Sequence, residues 1–520
     1  MTRLLRKEKE MRKRVAVHAA TSISAVGTRL GAVVRRATRP RHRSETTEAY
    51  RSAGTRVLIL GAGFAGVRTA LELDRCLGRA DDVSVLLVDR GNAQLFTPLL
   101  WTVADGRANP NNVVVPIRAF QRGRSFHVLH AEVEQIDLAA RTVHTPGQPY
   151  PYDILVIALG SVTAVPDVPG LRAHAHVFHS PADALELRNH VIDAVEMAHA
   201  CSDPVERQAW LTFVVAGGGD TGVELAATIH DYVTEGLFAT YPWLADAPVR
   251  VVLVERLARL VPMGASRVSA TVRRLLEARG IEVRTQTPVE SVTEDVVQTP
   301  KEPIPTHTVF WAAGITAPPV VRALDVEHAR NGAVSVDDHL RVPGRTEVYV
   351  VGDAAWAHDA MTKAPVPPTA QAAEHMGRYV AHAILTGRTG RHAPPYSFSS
   401  RGHLTLLGHH TAVAQVGPLT LTGLPAWLLW HGYYLSHIPS WRNRVRLAVD
   451  WSLAALTGRE TGQLRLGMES HAEAPGAARR AEEPMATKEA AHPDHAVPSD
   501  GGAGQTMPRP QGPGRDTAHT

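Results

Sequence analysis

The chain has 520 residues, 44% of them apolar and 20% charged, which excludes a small module, a collagen and a wholly disordered protein and leaves room for several large cores. Its two cysteines, Cys76 and Cys201, form no CxxC pair and cannot supply a four-thiolate zinc site, so no metal is expected and redox chemistry must come from a bound cofactor. The net charge of +4 hides an asymmetry, because residues 1–51 hold 14 basic against 4 acidic side chains while the remaining body is mildly acidic.

Residues 1–54 read as a basic, flexible arm suited to an anionic membrane surface, with a generic solvated tail as the alternative. No apolar run reaches the roughly 18 residues of a spanning helix, and neither a secretory nor a twin-arginine export signal is expected. Order is expected from Thr55, where Arg56-Val57-Leu58-Ile59-Leu60 has the look of a buried parallel strand. Directly after it comes Gly61-Ala62-Gly63-Phe64-Ala65-Gly66, opening a helical pattern. Glycines are needed there for a tight turn, for close approach of a pyrophosphate and for packing of the helix on the strand. The next strand, Val83 to Val88, ends in Asp89, placed to accept from a ribose diol.

The pattern then repeats. Leu211 to Val215 leads into Gly217-Gly218-Gly219-Asp220-Thr221-Gly222, and Val251-Val252-Leu253-Val254 ends in Glu255. A carboxylate there accepts from a ribose 2′-hydroxyl and repels a 2′-phosphate, favouring NADH over NADPH, a preference weakened by the adjacent Arg256. One such glycine pattern is weak, whereas two, each with its strand, helix and terminal acid, are strong.

Two dinucleotide sites in one chain point to a flavin facing a nicotinamide, and the segments between them carry a resemblance. Leu95-Phe96-Thr97-Pro98-Leu99-Leu100, Val156-Ile157-Ala158-Leu159-Gly160, Trp311-Ala312-Ala313-Gly314-Ile315, Val351-Gly352-Asp353 and Pro367 to His375 resemble the type II, non-proton-pumping NADH:quinone oxidoreductases. The resemblance continues through Tyr396 to Gly402 and the Trp- and Arg-rich stretch after Gly423, covering nearly all of 55–467. It implies that electrons pass from NADH through FAD to a membrane quinone, with no nucleic-acid partner. Its FAD site would comprise Gly61, Gly63, Phe64, Ala65, Gly66, Asp89, Thr97, Pro98, Ala158, Gly160, Gly352, Asp353 and Gln371. Its NADH site would comprise Gly217, Gly219, Asp220, Thr221, Gly222, Glu224, Glu255, Ala313 and Gly314.

Glu224 would lie near nicotinamide and flavin, orienting the ring or relaying a proton, although an acid on a first helical turn is also simply favoured by the helix dipole. Gln371 and His375, four apart, share a helix face that would border the quinone. The family's usual residue at the second place is glutamine. An imidazole there could donate to a quinone oxygen, and a surface histidine is the plain alternative. A soluble reductase of an acceptor such as ferredoxin is the rival enzyme, and a flavin-bearing redox sensor the rival of another class.

Beyond Gly423, Trp441, Val445, Ala448, Ser452 and Leu456 recur at helical spacing beside Leu447, Val449 and Leu453, with Arg442, Arg444 and Arg446 at one end. Such a helix suits the headgroup zone of a membrane, or packs on the protein's own core. The resemblance tips the reading to membrane contact and leaves homodimerisation through the same region open. The expected fold is α/β, with two doubly wound Rossmann-like domains and a C-terminal amphipathic membrane-binding segment. An NADH domain (170–309) is inserted in an FAD domain (55–169 and 310–395), followed by a quinone and membrane segment (396–467) and a disordered tail (468–520). A peripheral location on the cytoplasmic face of the cell membrane is expected.

Overall fold

A computed structural model describes residues 43–77 and 82–465, with the backbone alone for 43–45. The expectations for most of the basic arm and for the tail after 468 fall outside the described residues.

Order begins earlier than the sequence indicates. Arg43–Arg51 is a helix, and Tyr50 is fully buried in it, its hydroxyl donating to the Pro151 carbonyl at 2.9 Å. The segment 43–54 therefore belongs to the first lobe, because one aromatic ring and the buried Thr46 and Thr47 suffice to tie it down.

Two five-stranded parallel sheets follow one plan. The first runs Val348–Val350, Ile154–Ile157, Thr55–Leu60, Val83–Asp89, His127–His130. The second runs Ala175–Val177, Thr308–Trp311, Thr212–Ala216, Arg250–Val254, Glu282–Arg284. In each, the central strand is buried along most or all of its length and feeds a glycine turn and then a helix, Phe64–Cys76 or Asp220–Asp231. Near-continuous Val, Ile and Leu runs, lacking polar alternation, are what a sheet covered on both faces requires. The second lobe is an insertion, as expected, but its last strand extends to Trp311, so the boundary lies beyond 309. Ile315–Thr316 then returns to pair antiparallel with Val162–Thr163.

The helix Ala370–Arg388 lies against Phe64–Cys76, and the Thr69 hydroxyl donates to the Gly377 carbonyl at 3.2 Å. Residues 396–465 do not form a separate body. Leu406, Ala412 to Ala414, Trp430 and Leu447 share a core with Val223, Leu225 and Val251 of the second lobe, while Tyr396 joins the core of the first. They form a three-stranded antiparallel sheet, His403–Leu406, Ala412–Val416 and Leu419–Thr422, then the helices Leu424–His437 and Trp441–Thr457.

The last helix is held at several points. Asn443 Nδ2 donates to the Val114 carbonyl at 2.7 Å, and Asp450 accepts from Asn112 Nδ2 at 2.6 Å. Beyond the helix the chain straps across the second lobe: Tyr232 donates to the Glu460 carbonyl at 2.9 Å, and Leu464 and Asn189 exchange two bonds of 3.0 Å. Among the described residues, no helix is long and apolar enough to cross a membrane.

Candidate functional site

The duplication is visible atom by atom. At the first turn Gly61 adopts φ +95°, and a Cβ on it would overlap the Ala158 carbonyl; at the second, Gly217 adopts φ +117°, and a Cβ would meet Ala312 and Ala313 at 2.7 Å. Only glycine accommodates both the dihedral and the approach. Gly66 and Gly222 likewise press on the carbonyls of Gly61 and Gly217, so helix and turn pack backbone to backbone. Gly63 and Gly219 differ, because a Cβ there would meet nothing within 4 Å. The middle glycine thus faces open space at a helix N-terminus, the place where a pyrophosphate sits on free amides.

The strand-terminal acids also match. Asp89 accepts from the Ala62 amide at 2.6 Å and the Gly91 amide at 2.7 Å. Glu255 accepts from the Gly218 amide at 2.5 Å and the Leu257 amide at 2.6 Å. Each carboxylate therefore shapes its glycine turn as well as standing at its rim, and each retains lone pairs for a ribose hydroxyl. The residues present fit a dinucleotide at both turns.

A cavity of about 1020 Å³ opens from the first turn, large enough for a dinucleotide. Of the residues assigned to the FAD site by the resemblance, Gly61, Gly63, Phe64, Ala65, Asp89, Thr97, Ala158, Gly160, Gly352 and Asp353 line it. Three expected residues do not. Gly66 is buried beneath the turn, Pro98 gives its carbonyl to Trp101 Nε1 at 3.1 Å, and Gln371, on the helix that supplies the lining residues Ala370 and Ala373, faces with His375 away from the cavity. Arg90, Ser161 and Val320 line the cavity without a sequence signal, since Arg90 and Ser161 follow strand ends and Val320 sits in the short helix Pro319–Arg322, none of them in a motif. Ser161 donates to Asp353 at 2.8 Å; burial raises the Asp353 pKa and this bond opposes the rise.

At the second turn Thr221 is exposed and Glu255 rims the loop, whereas Asp220 is partly buried and one of its carboxylate oxygens is already engaged. Its Oδ1 lies 2.9 Å from His403 Nε2 and accepts from the Thr405 hydroxyl at 2.8 Å. No sequence signal linked these residues, which are more than 180 positions apart. Ala313 abuts Gly217, while Gly314, at φ +87°, gives its carbonyl to the Ala164 amide at 3.1 Å, continuing the pairing of Val162–Thr163 with Ile315–Thr316.

Glu224 follows Asp220 by one turn, and its Oε1 accepts from the Leu406 amide at 3.0 Å. Burial pushes its pKa up to about 8, Leu406 opposes the rise, and the Asp220 charge adds to it. It therefore holds a proton at neutral pH and can donate it, which an ordinary surface glutamate cannot. Tyr434, from Leu424–His437, stands near both acids and packs edge-on against Phe96 at 6.3 Å, which in turn meets the cavity residue Phe64 at 5.6 Å. His375 is half-buried, with Nδ1 3.3 Å from the Tyr396 hydroxyl and its ring edge-on to Phe398 at 5.7 Å. Burial, then Arg378 and Arg401, lowers its pKa, so it is neutral near pH 7.

The C-terminal helices show their apolar residues outward. Trp441 is 69% exposed and Leu456 82%, with Val445, Val449 and Leu453 about half exposed, while Leu447 turns inward to the core. Packing of this stripe on the chain's own core is thereby ruled out, and Leu447 lies on the opposite face from the one the sequence pattern gave it.

Comparison with known proteins agrees with this architecture. The family described as pyridine nucleotide-disulphide oxidoreductase matches residues 55–377, and the NDH2 C-terminal domain matches residues 401–460. The type II NADH:quinone oxidoreductase NdhA of Mycobacterium tuberculosis is 31% identical over 430 residues, covering 79% of this chain and 89% of that one. Ndh of the same organism is 30% identical over 428 residues, covering 79% and 90%. The structure of NDH2 from Plasmodium falciparum in complex with NADH superposes with a TM-score of 0.71 at 20% identity, over 78% of this chain and 99% of that one.

Proposed function

The chain belongs to the pyridine nucleotide-disulphide oxidoreductase family and, within it, to the type II NADH:quinone oxidoreductases, and from that premise we propose how its residues divide the work. The enzyme uses FAD and NADH and reduces a quinone. FAD, when bound, accepts two electrons from NADH and passes them to the quinone, so the protein's part is to hold, orient and protonate.

Gly61, Gly63 and Asp89 hold the FAD pyrophosphate and ribose, Gly66 supports the turn from beneath, and Thr97, Ala158, Gly160, Gly352 and Asp353 lie along the rest of that cofactor. Gly217, Gly219, Gly222 and Glu255 do the same for NADH. Thr221, Ala313 and Gly314 flank that site, and Asp220 acts through its partners. Glu224, with its raised pKa, holds a proton beside the reacting centre. Gln371 and His375 border the quinone, and Pro98 fixes the turn that presents Thr97. The outward stripe of Trp441–Thr457 rests in a lipid headgroup layer on the cytoplasmic face, where exposed Trp and Arg both find partners. The basic arm adds electrostatic attraction, and a homodimer would form through the same C-terminal region beside the lipid-facing stripe.

The observation that carries the reading is the twofold cradle: two glycine turns with matching overlaps, two open middle glycines and two amide-bound acids. Stopped-flow absorbance on the FAD-loaded protein tests it. Rapid bleaching of the flavin band by NADH, then rapid recovery on adding a menaquinone or ubiquinone analogue in liposomes, is expected. Bleaching without recovery would give the acceptor role to another molecule.

A further inference from the structure

The reaction has an unequal proton count. NADH brings two electrons and one proton, while the quinone takes up two electrons and two protons, so one proton per turnover comes from water. Glu224 is placed to deliver it, and the residues around Glu224 belong to a second, connected group. Asp220 is one helical turn before Glu224, on the same face. The strand His403–Leu406 bonds to both acids, since Thr405 donates to Asp220 and the Leu406 amide donates to Glu224. His403 Nε2 completes a triangle, 2.9 Å from Asp220 Oδ1 and 2.8 Å from the Thr405 hydroxyl.

We propose that His403 is a charge-compensating positioning residue of the quinone reaction: as a cation it cancels Asp220 and thereby sets the pH at which Glu224 releases its proton. The inference rests on the reading of Glu224 as the proton holder. Asp220 is a like charge one turn from a buried carboxyl, and it opposes ionisation of Glu224 unless it is neutralised. Thr405 lies on His403's own strand, Gln415 is opposite across the sheet, and Tyr434, held neutral by burial, packs from Leu424–His437. Burial would lower the His403 pKa, yet its bond to Asp220 and the Asp220 charge raise it overall, which favours the cation. The arrangement has no counterpart at the first turn, where Phe64 occupies the place of Asp220 and packs on Phe96.

The test is an infrared pH titration of the FAD-loaded protein without NADH, following the protonated-carboxyl band that Glu224→Gln removes, alongside the pH profile of quinone reduction. His403→Gln is expected to move the Glu224 transition up by roughly one pH unit, and Asp220→Asn to move it down. In the Asp220→Asn background, His403→Gln should move nothing. His403→Lys, which keeps the positive charge, should stay near the native transition and covers the case in which the glutamine variant fails to fold. An unmoved transition in His403→Gln, or an equal shift with and without Asp220, overturns the inference. If instead Glu224→Gln removes no band and leaves the pH profile unchanged, the assignment of Glu224 itself is wrong.

Discussion

Gly377 presses so closely on Ala65 that a Cβ built on it would overlap the Ala65 carbonyl oxygen. This contact brings the helix carrying Gln371 and His375 onto the helix that opens from the first glycine turn. Gly377→Val should push the two helices apart at a cost of about 1–3 kcal/mol. A lower denaturant midpoint and loss of bound FAD on gel filtration are expected; retention of both would mean that the helices part without strain.

Glu255 holds two turn amides, and in the function we propose it also faces the ribose 2′-hydroxyl of NADH, or the 2′-phosphate of NADPH. Glu255→Ala removes both the acceptor and the repelling charge. The ratio of kcat/KM for NADH over NADPH should fall about tenfold, corresponding to about 1.4 kcal/mol of lost discrimination. An unchanged ratio would reduce Glu255 to a loop brace.

Glu224 couples protonation to stability. Its pKa of about 8 in the folded protein lies above the ordinary value of 4.5, so the folded state binds the extra proton between those limits. The stabilisation is complete below pH 4.5 and is lost as pH rises through 8. Compared with Glu224→Gln, the native protein should lose up to about 1.4 kcal/mol per pH unit across this window. Urea midpoints at several pH values read the difference, and parallel curves for the two proteins would refute it.

Much of this was legible from the residues. The turns at Gly61 and Gly217 announce themselves because a dinucleotide cradle needs several constraints within six residues, and Asp89 and Glu255 follow from the strand that ends beside each. Leu447 was misplaced because a pattern of apolar residues gives the width of a stripe but not which edge meets the core. Tyr50 escaped notice since a lone aromatic in a polar stretch carries no period. Asp220 and His403 could not be paired from sequence at all, because their contact depends on where the C-terminal sheet docks, and docking has no local signature.

His375 meets Tyr396 and Phe398 on the face away from the FAD cavity lining. His375→Gln should leave the NADH-driven bleaching phase unchanged and alter reoxidation by quinone roughly fivefold, about what one neutral hydrogen bond contributes. Slowed bleaching in stopped flow would place the residue on the nicotinamide side instead.

Val449 and Leu453 stand out from the last helix with about half their surface exposed. The double change Val449→Glu and Leu453→Glu should cut flotation with anionic liposomes at least tenfold, since burying each apolar side chain is worth about 1.5–3 kcal/mol. Flavin bleaching by NADH in detergent should be unaffected. Undiminished flotation would move the membrane contact elsewhere on the molecule.

The outward helix is bolted to the body through Asn443 and Asp450, and the segment beyond it is laced to the second lobe through Glu460 and Leu464. A helix on a loose tether would let the enzyme roll on a surface, so that the reacting centre met the lipid at many angles. A bolted one gives the protein a keel. With that stripe on lipid, as we propose, the height and tilt of the Glu224 region above the surface would be set by the fold, and the quinone's path would be a fixed dimension of the molecule.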